Sequence, residues 1–176
     1  MASVKSSCVY ELRGDDMSKE ELKRELDFEK VREEKVRFLD SHHVIVLATS
    51  FDNRVTARTV TYASKGLDIY FMSWGHHKKC VQIRGNPKVA LCRDNMTMEG
   101  LEEILGNPLD EKNKEYAEIY RNKFPRDFAG FARIPGMVLV KVTPTFIVSW
   151  VRIENRFFLE HLDLENKRAY LKKPEE

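Results

Sequence analysis

Between His43 and Ser73 the chain lays down three short apolar runs divided by turn signals, and this rhythm is its strongest constraint on fold. His43-Val-Ile-Val-Leu-Ala-Thr-Ser50 is a short apolar run with β-branched residues, which reads as a buried strand. Asp52-Asn53 is a turn signal. Val55 to Ala63 then alternates and is rich in Thr and Val, as a returning strand does. Ser64-Lys65-Gly66 turns the chain again, and Leu67 to Ser73 forms a third strand. The three together predict an antiparallel meander.

The flanking sequence adds helices and more strands. Residues 1–17 are polar and read as an arm. Ser18 followed by Glu21 fits a capping box, so a helix is expected from Lys19 to about Asp40, with Leu22, Leu26, Val31, Phe38 and Leu39 as an imperfect apolar stripe. His77 to Gly85 is a short helix, stopped by Gly85, Asn86 and Pro87, and Lys88 to Arg93 is a fourth strand. Met98 to Leu105 is ambiguous, because Leu101, Ile104 and Leu105 sit at helical spacing while Gly100 interrupts. Asp110 to about Phe124 reads as a helix with Tyr116, Ile119 and Tyr120 on one side. Met137 to Val142 and Phe146 to Ile153 are two strands hinged at Pro144, and the tail from Glu160 is polar and weakly patterned. The sum is a mainly β chain, with six or seven mostly antiparallel strands in a barrel flanked by about three helices. A single domain over residues 18–176 follows the arm.

Composition excludes several classes. A length of 176 residues suits one domain, and a formal net charge of +2 lacks the basic excess of a nucleic-acid binder. Charge therefore predicts no bulk polyanion partner but leaves room for a local anion site. Cys8, Cys80 and Cys92 are odd in number and share no metal-like spacing, which argues for a reducing compartment. The first residues lack a signal-peptide core, and no stretch approaches the ~20 apolar residues of a membrane span. The expectation is a cytoplasmic protein without a membrane partner.

The block Trp74-Gly-His-His-Lys-Lys-Cys-Val-Gln-Ile-Arg-Gly-Asn-Pro87 carries the chemistry. A strand ends, and a helix begins with imidazoles and ammonium groups beside its own free N–H groups. That helix end already attracts anions, and lysines there oppose the helix dipole unless an anion sits among them. A solvated basic turn accounts for the spacing equally well. Arg58, mid-strand in Ala57-Arg58-Thr59-Val60-Thr61, suggests an anion partner, since charged residues are depleted in strands; an edge residue facing water is the plainer reading. His42-His43 and His76-His77 are adjacent pairs that do not chelate easily from a strand, and no zinc-ligand spacing accompanies them. Cys80 beside two lysines fits a thiol of lowered pKa or a small packed residue.

Taken in order, these segments resemble the pyridoxamine 5'-phosphate oxidase-like, FMN-binding split-barrel family over roughly Ser41 to Phe157. The resemblance runs through Val-Leu-Ala-Thr-Ser, Ala-Arg-Thr-Val and Ile-Tyr-Phe-Met-Ser, then His-Lys-Lys-Cys-Val-Gln-Ile-Arg-Gly-Asn-Pro-Lys-Val-Ala-Leu. Met98 to Leu105 resembles the family's next strand, which overrides its helical spacing, and Pro144 with Trp150 matches a family separation. The resemblance implies a split barrel that forms a homodimer with FMN at the subunit interface. It puts Arg58 on the phosphate-binding arginine and Thr59, Val60 and Thr61 along the flavin. Met72 and Ser73 fall on a pair touching the cofactor, and Lys78 and Lys79 on the basic pair, the second being the usual phosphate ligand. His77 takes a position where relatives often carry serine. Asn95 stands near a position where an amide of the partner chain reaches FMN, and Trp150 matches a tryptophan that approaches across the interface.

The departures from the oxidase pattern are specific. A second strand lysine is Ala63 here, and the substrate-gripping arginine, histidine and arginine read Arg156, Phe158 and Glu160, so that only Arg156 survives. A carboxylate at position 160 would repel a phosphorylated substrate. The resemblance therefore implies an FMN protein related to the oxidase, with a small-molecule substrate or electron donor that the sequence leaves open. A flavin carrier without turnover, or a related split barrel holding deazaflavin or haem, are the alternatives.

Overall fold

The computed structural model describes residues 23–174. Its first elements correct the expected start of the leading helix. Lys23–Leu26 is a strand, β1, and helix α1 runs Phe28–Asp40. Asp27 is the N-cap, its side chain accepting from the Lys30 N–H at 2.9 Å. The Ser18 capping box lies outside the described residues. Leu26 belongs to the strand, whereas Val31 and Leu39 are buried on the helix as the stripe required.

The meander follows. β2 (Val44–Phe51) and β3 (Arg54–Thr61) are joined by Asp52 and Asn53 at φ 50° and 55°. Both central residues at positive φ are what a tight hairpin turn with right-handed strand twist demands, and Asp and Asn tolerate that conformation. The short β4 (Ala63–Lys65) pairs with β5 (Asp68–Trp74), and α2 (Lys78–Gly85) leads to β6 (Lys88–Arg93). Residues Met96–Gly106 form β7, as the family resemblance implied and helical spacing did not.

The expected helix from Asp110 is divided. A 3-10 turn, Glu111–Asn113, precedes α3 (Lys114–Lys123), and a further helix, α4 (Pro125–Phe131), follows at once. Pro125 cannot continue α3, but its fixed φ and missing N–H suit the first position of a new helix. The two strands expected around Pro144 are one long strand, β8 (Met137–Ile153), which switches neighbours: its first part pairs with β5 and its last part with β9 (Arg156–Asp163). At the switch, the register against β7 shifts between Glu99 and Gly100, and Gly100 lies opposite Pro144. The weakly patterned tail also folds into strand, since β9 is followed by β10 (Arg168–Lys172).

The described residues thus hold ten strands in one sheet, more than the expected six or seven, and four α-helices rather than three. The order is β1-β10-β9-β8-β7-β6-β2-β3, with β5 joined through β8. All pairings are antiparallel. The sharing of β8 between two sets of neighbours splits the barrel. Its interior is filled by alternate strand residues, among them Ile45, Leu47, Phe71, Leu91, Met98, Val140 and Ile147, with Leu39 of α1 and Tyr120 of α3 closing on them. No helix among the described residues is long and apolar enough to cross a membrane.

Candidate functional site

Arg58 faces the inside of the sheet. Along β3 the alternation leaves Ala57, Thr59 and Thr61 exposed, while Thr56 and Arg58 are part-buried and Val60 is buried. The guanidinium donates through Nη1 to Thr49 Oγ1 at 2.7 Å and to the Leu47 carbonyl at 3.3 Å, and through Nη2 to Thr56 Oγ1. Those two hydroxyls in turn donate to one oxygen of Gln82, at 2.8 Å from Thr49 and 2.6 Å from Thr56. The Gln82 amide N–H donates to the Arg54 carbonyl at 2.7 Å. Gln82 belongs to α2, so this buried network fastens the helix bearing Lys78 and Lys79 to the hairpin bearing Arg58.

The two lysines are not equivalent. Consecutive helical positions point about 100° apart, and here Lys78 is exposed while Lys79 is part-buried. Burial lowers the Lys79 pKa, and the positive charge of Arg58 works in the same direction. Burial likewise lowers that of Arg58. His77 is the N-cap of α2 with no side-chain capping bond, and the first turn carries no acidic residue. Its ring lies 5.0 Å from that of Trp74, which ends β5. Met72 and Ser73, on the same strand, are half-buried and buried; the Ser73 hydroxyl donates to the Trp74 carbonyl at 3.3 Å.

Facing the two cations electrostatically is a residue that the sequence reading passed over. Glu102 is 4% exposed, and neither of its carboxylate oxygens has a hydrogen-bond partner. Burial pushes its pKa up to about 8 against the pull of Arg58 and Lys79. Sequence alternation locates it once β7 is accepted as a strand: Met96, Met98, Gly100 and Glu102 share the buried face. Thr49, Thr56 and Gln82 were also missed, because a polar brace has no spacing signature.

Asn95, Trp150 and Arg156 belong to a different group. Across the sheet, Arg58 is level with Leu47, Leu91, Met98 and Ile147. Asn95 lies beyond the end of β7, and Trp150 and Arg156 lie further along β8 and β9. There the Trp150 N–H donates to the Asn95 carbonyl at 3.0 Å, and the Asn95 side-chain amide donates to the Trp150 carbonyl. Trp150 is 47% exposed and meets Phe157 edge to face. Arg156 is exposed at the opening of β9. Of the departures, Ala63 is buried, Phe158 half-buried and Glu160 only 1% exposed. Glu160 forms an ion pair with Lys35 of α1. Its carboxylate is thus engaged inside the molecule rather than offered to a phosphorylated substrate, which corrects the repulsive role expected for it.

β3 is the last strand in its order, so one edge is open. Tyr62 N–H donates to the His43 carbonyl at 3.0 Å. Antiparallel alternation then turns the backbone groups of Val60 and Arg58 toward β2 and those of Thr59 and Thr61 toward the open edge.

No family sequence model matches the chain, and no curated protein matches it. Solved structures do. A putative pyridoxamine 5'-phosphate oxidase of Listeria innocua is 26% identical with a TM-score of 0.55, over 71% of this chain and 98% of the other. A pyridoxamine 5'-phosphate oxidase-related, FMN-binding protein of Nostoc punctiforme is 16% identical with a TM-score of 0.57, over 82% and 94%. A haem-binding protein of Mycobacterium smegmatis is 13% identical with a TM-score of 0.60, over 82% and 60%, and shares the fold alone. With the split, ten-stranded antiparallel sheet of its described residues and its likeness to the Listeria structure, the chain has the pyridoxamine 5'-phosphate oxidase-like split-barrel fold and resembles that family at low sequence identity.

Proposed function

We propose that the chain binds FMN, with the phosphate between Arg58 and the first turn of α2, and acts as a flavin-dependent oxidoreductase on a small-molecule substrate. One observation carries the reading. Arg58 and Lys79 come from separate elements into one part-buried space, and neither forms an ion pair with a carboxylate among the described residues. Two like charges drawn out of water are costly unless an anion completes them. The fit to a terminal phosphate is good in kind. Lys79 makes no hydrogen bond among the described residues, and the free N–H groups of α2 add donors without a competing acidic side chain. The open edge of β3 supplies backbone donors and acceptors at Thr59 and Thr61, suited to the polar rim of a flat ring.

When bound, FMN supplies hydride chemistry through its isoalloxazine ring. The chain's own work is to bind and orient. Gln82, Thr49 and Thr56 hold the Arg58 guanidinium in place, and Lys79 adds charge more closely than the exposed Lys78. Met72 and Ser73 line the neighbouring strand, and His77 caps the helix start. Arg156 is the substrate-side position kept from the oxidase pattern. Asn95 and Trp150 lie apart from this cluster, as groups serving a second subunit's cofactor would, and the exposed apolar residues Trp150, Phe157, Val44 and Val46 favour a homodimer. The name of the Nostoc neighbour supports FMN, whereas that of the mycobacterial neighbour makes haem the competing ligand.

The purified protein should be yellow and release FMN on denaturation. A haem spectrum, or a colourless protein that takes up no added FMN, refutes the reading. Lys79→Ala should weaken FMN by about 10- to 100-fold, the equivalent of a charge-assisted hydrogen bond of roughly 1.5–3 kcal/mol, and leave riboflavin nearly unchanged. Equal loss for both ligands removes Lys79 from the phosphate. Reduction of the bound flavin by a nicotinamide donor, with reoxidation by a defined acceptor, separates an enzyme from a carrier.

A further inference from the structure

We propose that Glu102 makes anion capture by this site proton-linked: the buried carboxylate takes up a proton from solvent when a phosphate settles beside Arg58 and Lys79. The inference rests on the phosphate site proposed above and adds a regulating group to it. Glu102 is almost wholly inside the barrel, and both its oxygens lack hydrogen-bond partners. Its backbone N–H is used by the Pro87 carbonyl at 2.8 Å, and across the ladder it meets only Val142 of β8. The charged groups acting on it are Arg58 from β3 and Lys79 from α2. The buried Cys80 thiol lies close enough to both cations to act on them, and His77 at the helix start feels Lys79. No other titratable group of α2, β3 or β8 acts on Glu102.

Charge balance gives the direction. Without an anion, ionised Glu102 partly offsets the two cations. A phosphate dianion brings two negative charges to the same place. With Glu102 still ionised the cluster would become net negative in a poorly solvated space, whereas a neutral Glu102 leaves it balanced. Phosphate therefore favours the protonated acid, and by linkage the protonated acid favours phosphate. Burial pushes the Glu102 carboxyl up to about 8, well above the second phosphate ionisation near 6, so the effect is separable from titration of the ligand.

The experiment measures FMN and riboflavin binding to the full chain at pH 7, 8 and 9, with proton uptake read from calorimetric enthalpies in buffers of different ionisation heat. For the unaltered protein, FMN affinity should fall about tenfold from pH 7 to pH 9, with about half a proton taken up per FMN at pH 8. Riboflavin, which has no phosphate, should show neither effect. Glu102→Gln should bind FMN at pH 9 as tightly as the unaltered protein does at pH 7, with uptake abolished. Titration of Lys79 would also weaken FMN at high pH, but that loss would persist in Glu102→Gln. A persisting loss, or no proton uptake by the unaltered protein, overturns the inference while leaving the phosphate site standing. No FMN binding at any pH overturns both.

Discussion

Replacing Gly100 by alanine tests whether the crossing of β7 and β8 is set by backbone contact. A Cβ at Gly100 would stand 2.7 Å from the Thr143 carbonyl oxygen, 3.1 Å from Pro144 Cα and 3.2 Å from Thr143 carbonyl carbon. All three are backbone atoms, so no side chain can swing away. The strands themselves must part where β8 changes neighbours. Overpacking of this kind costs about 1–3 kcal/mol, and a neighbour held on both edges puts the value near the top, at about 2–3 kcal/mol. With a urea m-value of roughly 2 kcal/mol/M, the midpoint should fall by about 1–1.5 M. Equilibrium unfolding followed by the fluorescence of Trp74 and Trp150 measures it. Gly130→Ala in α4 is the control: its Cβ meets nothing within 4 Å, and it should gain about 0.5–1 kcal/mol from helix propensity. If Gly100→Ala lies within about 0.5 kcal/mol of the unaltered protein, close approach does not fix the crossing.

Glu102 should also leave a mark on stability against pH. Its folded pKa is raised from 4.5 to about 8, so its ionisation is resisted in the native state, and the unfolded chain gives up this proton first. The pH-dependent part of the penalty is absent below pH 4.5, builds as pH rises toward 8 and then levels, reaching about 5 kcal/mol. Urea unfolding of Glu102→Gln should therefore show an advantage over the unaltered protein that grows across this window, and a constant difference would contradict the assignment. Gln82→Leu removes the acceptor shared by Thr49 and Thr56 and the donor to Arg54, and should cost about 1–3 kcal/mol in the same assay while weakening FMN. Unchanged FMN affinity would show that the brace does not position Arg58.

The strands of the meander were legible because each announces itself within a few residues. Asp52-Asn53 names its own hairpin, and the β-branched run at Val44–Phe51 alternates once its neighbours cover one face. The ends of the chain were not legible for a physical reason. β1 and β10 are short and largely polar, and their pairing depends on each other rather than on any local pattern. Met96–Gly106 was ambiguous from its residues alone because burial alternates where hydrophobicity does not: the buried face carries Gly100 and Glu102, while Leu101 is exposed. At the site, Arg58 and Lys79 stood out as charges in the wrong local setting. Glu102 did not, since the sequence Glu-Glu resembles any solvated surface until one of the pair is found to point inward.

The pairing of β1 with β10 also says something about how the molecule is assembled. Leu26 lies opposite Ala169, which closes a loop of roughly 140 residues, an entropic cost about 2 kcal/mol greater than that of a ten-residue hairpin. Such long-range pairings form slowly and have little to gain until the strands between them are in place. Arg58, Lys79 and Glu102, by contrast, fall within one contiguous stretch of β-hairpins and a short helix. The cluster around the anion site can therefore gather early in folding, and the seam between the first and last described strands of the chain is the last to be sewn.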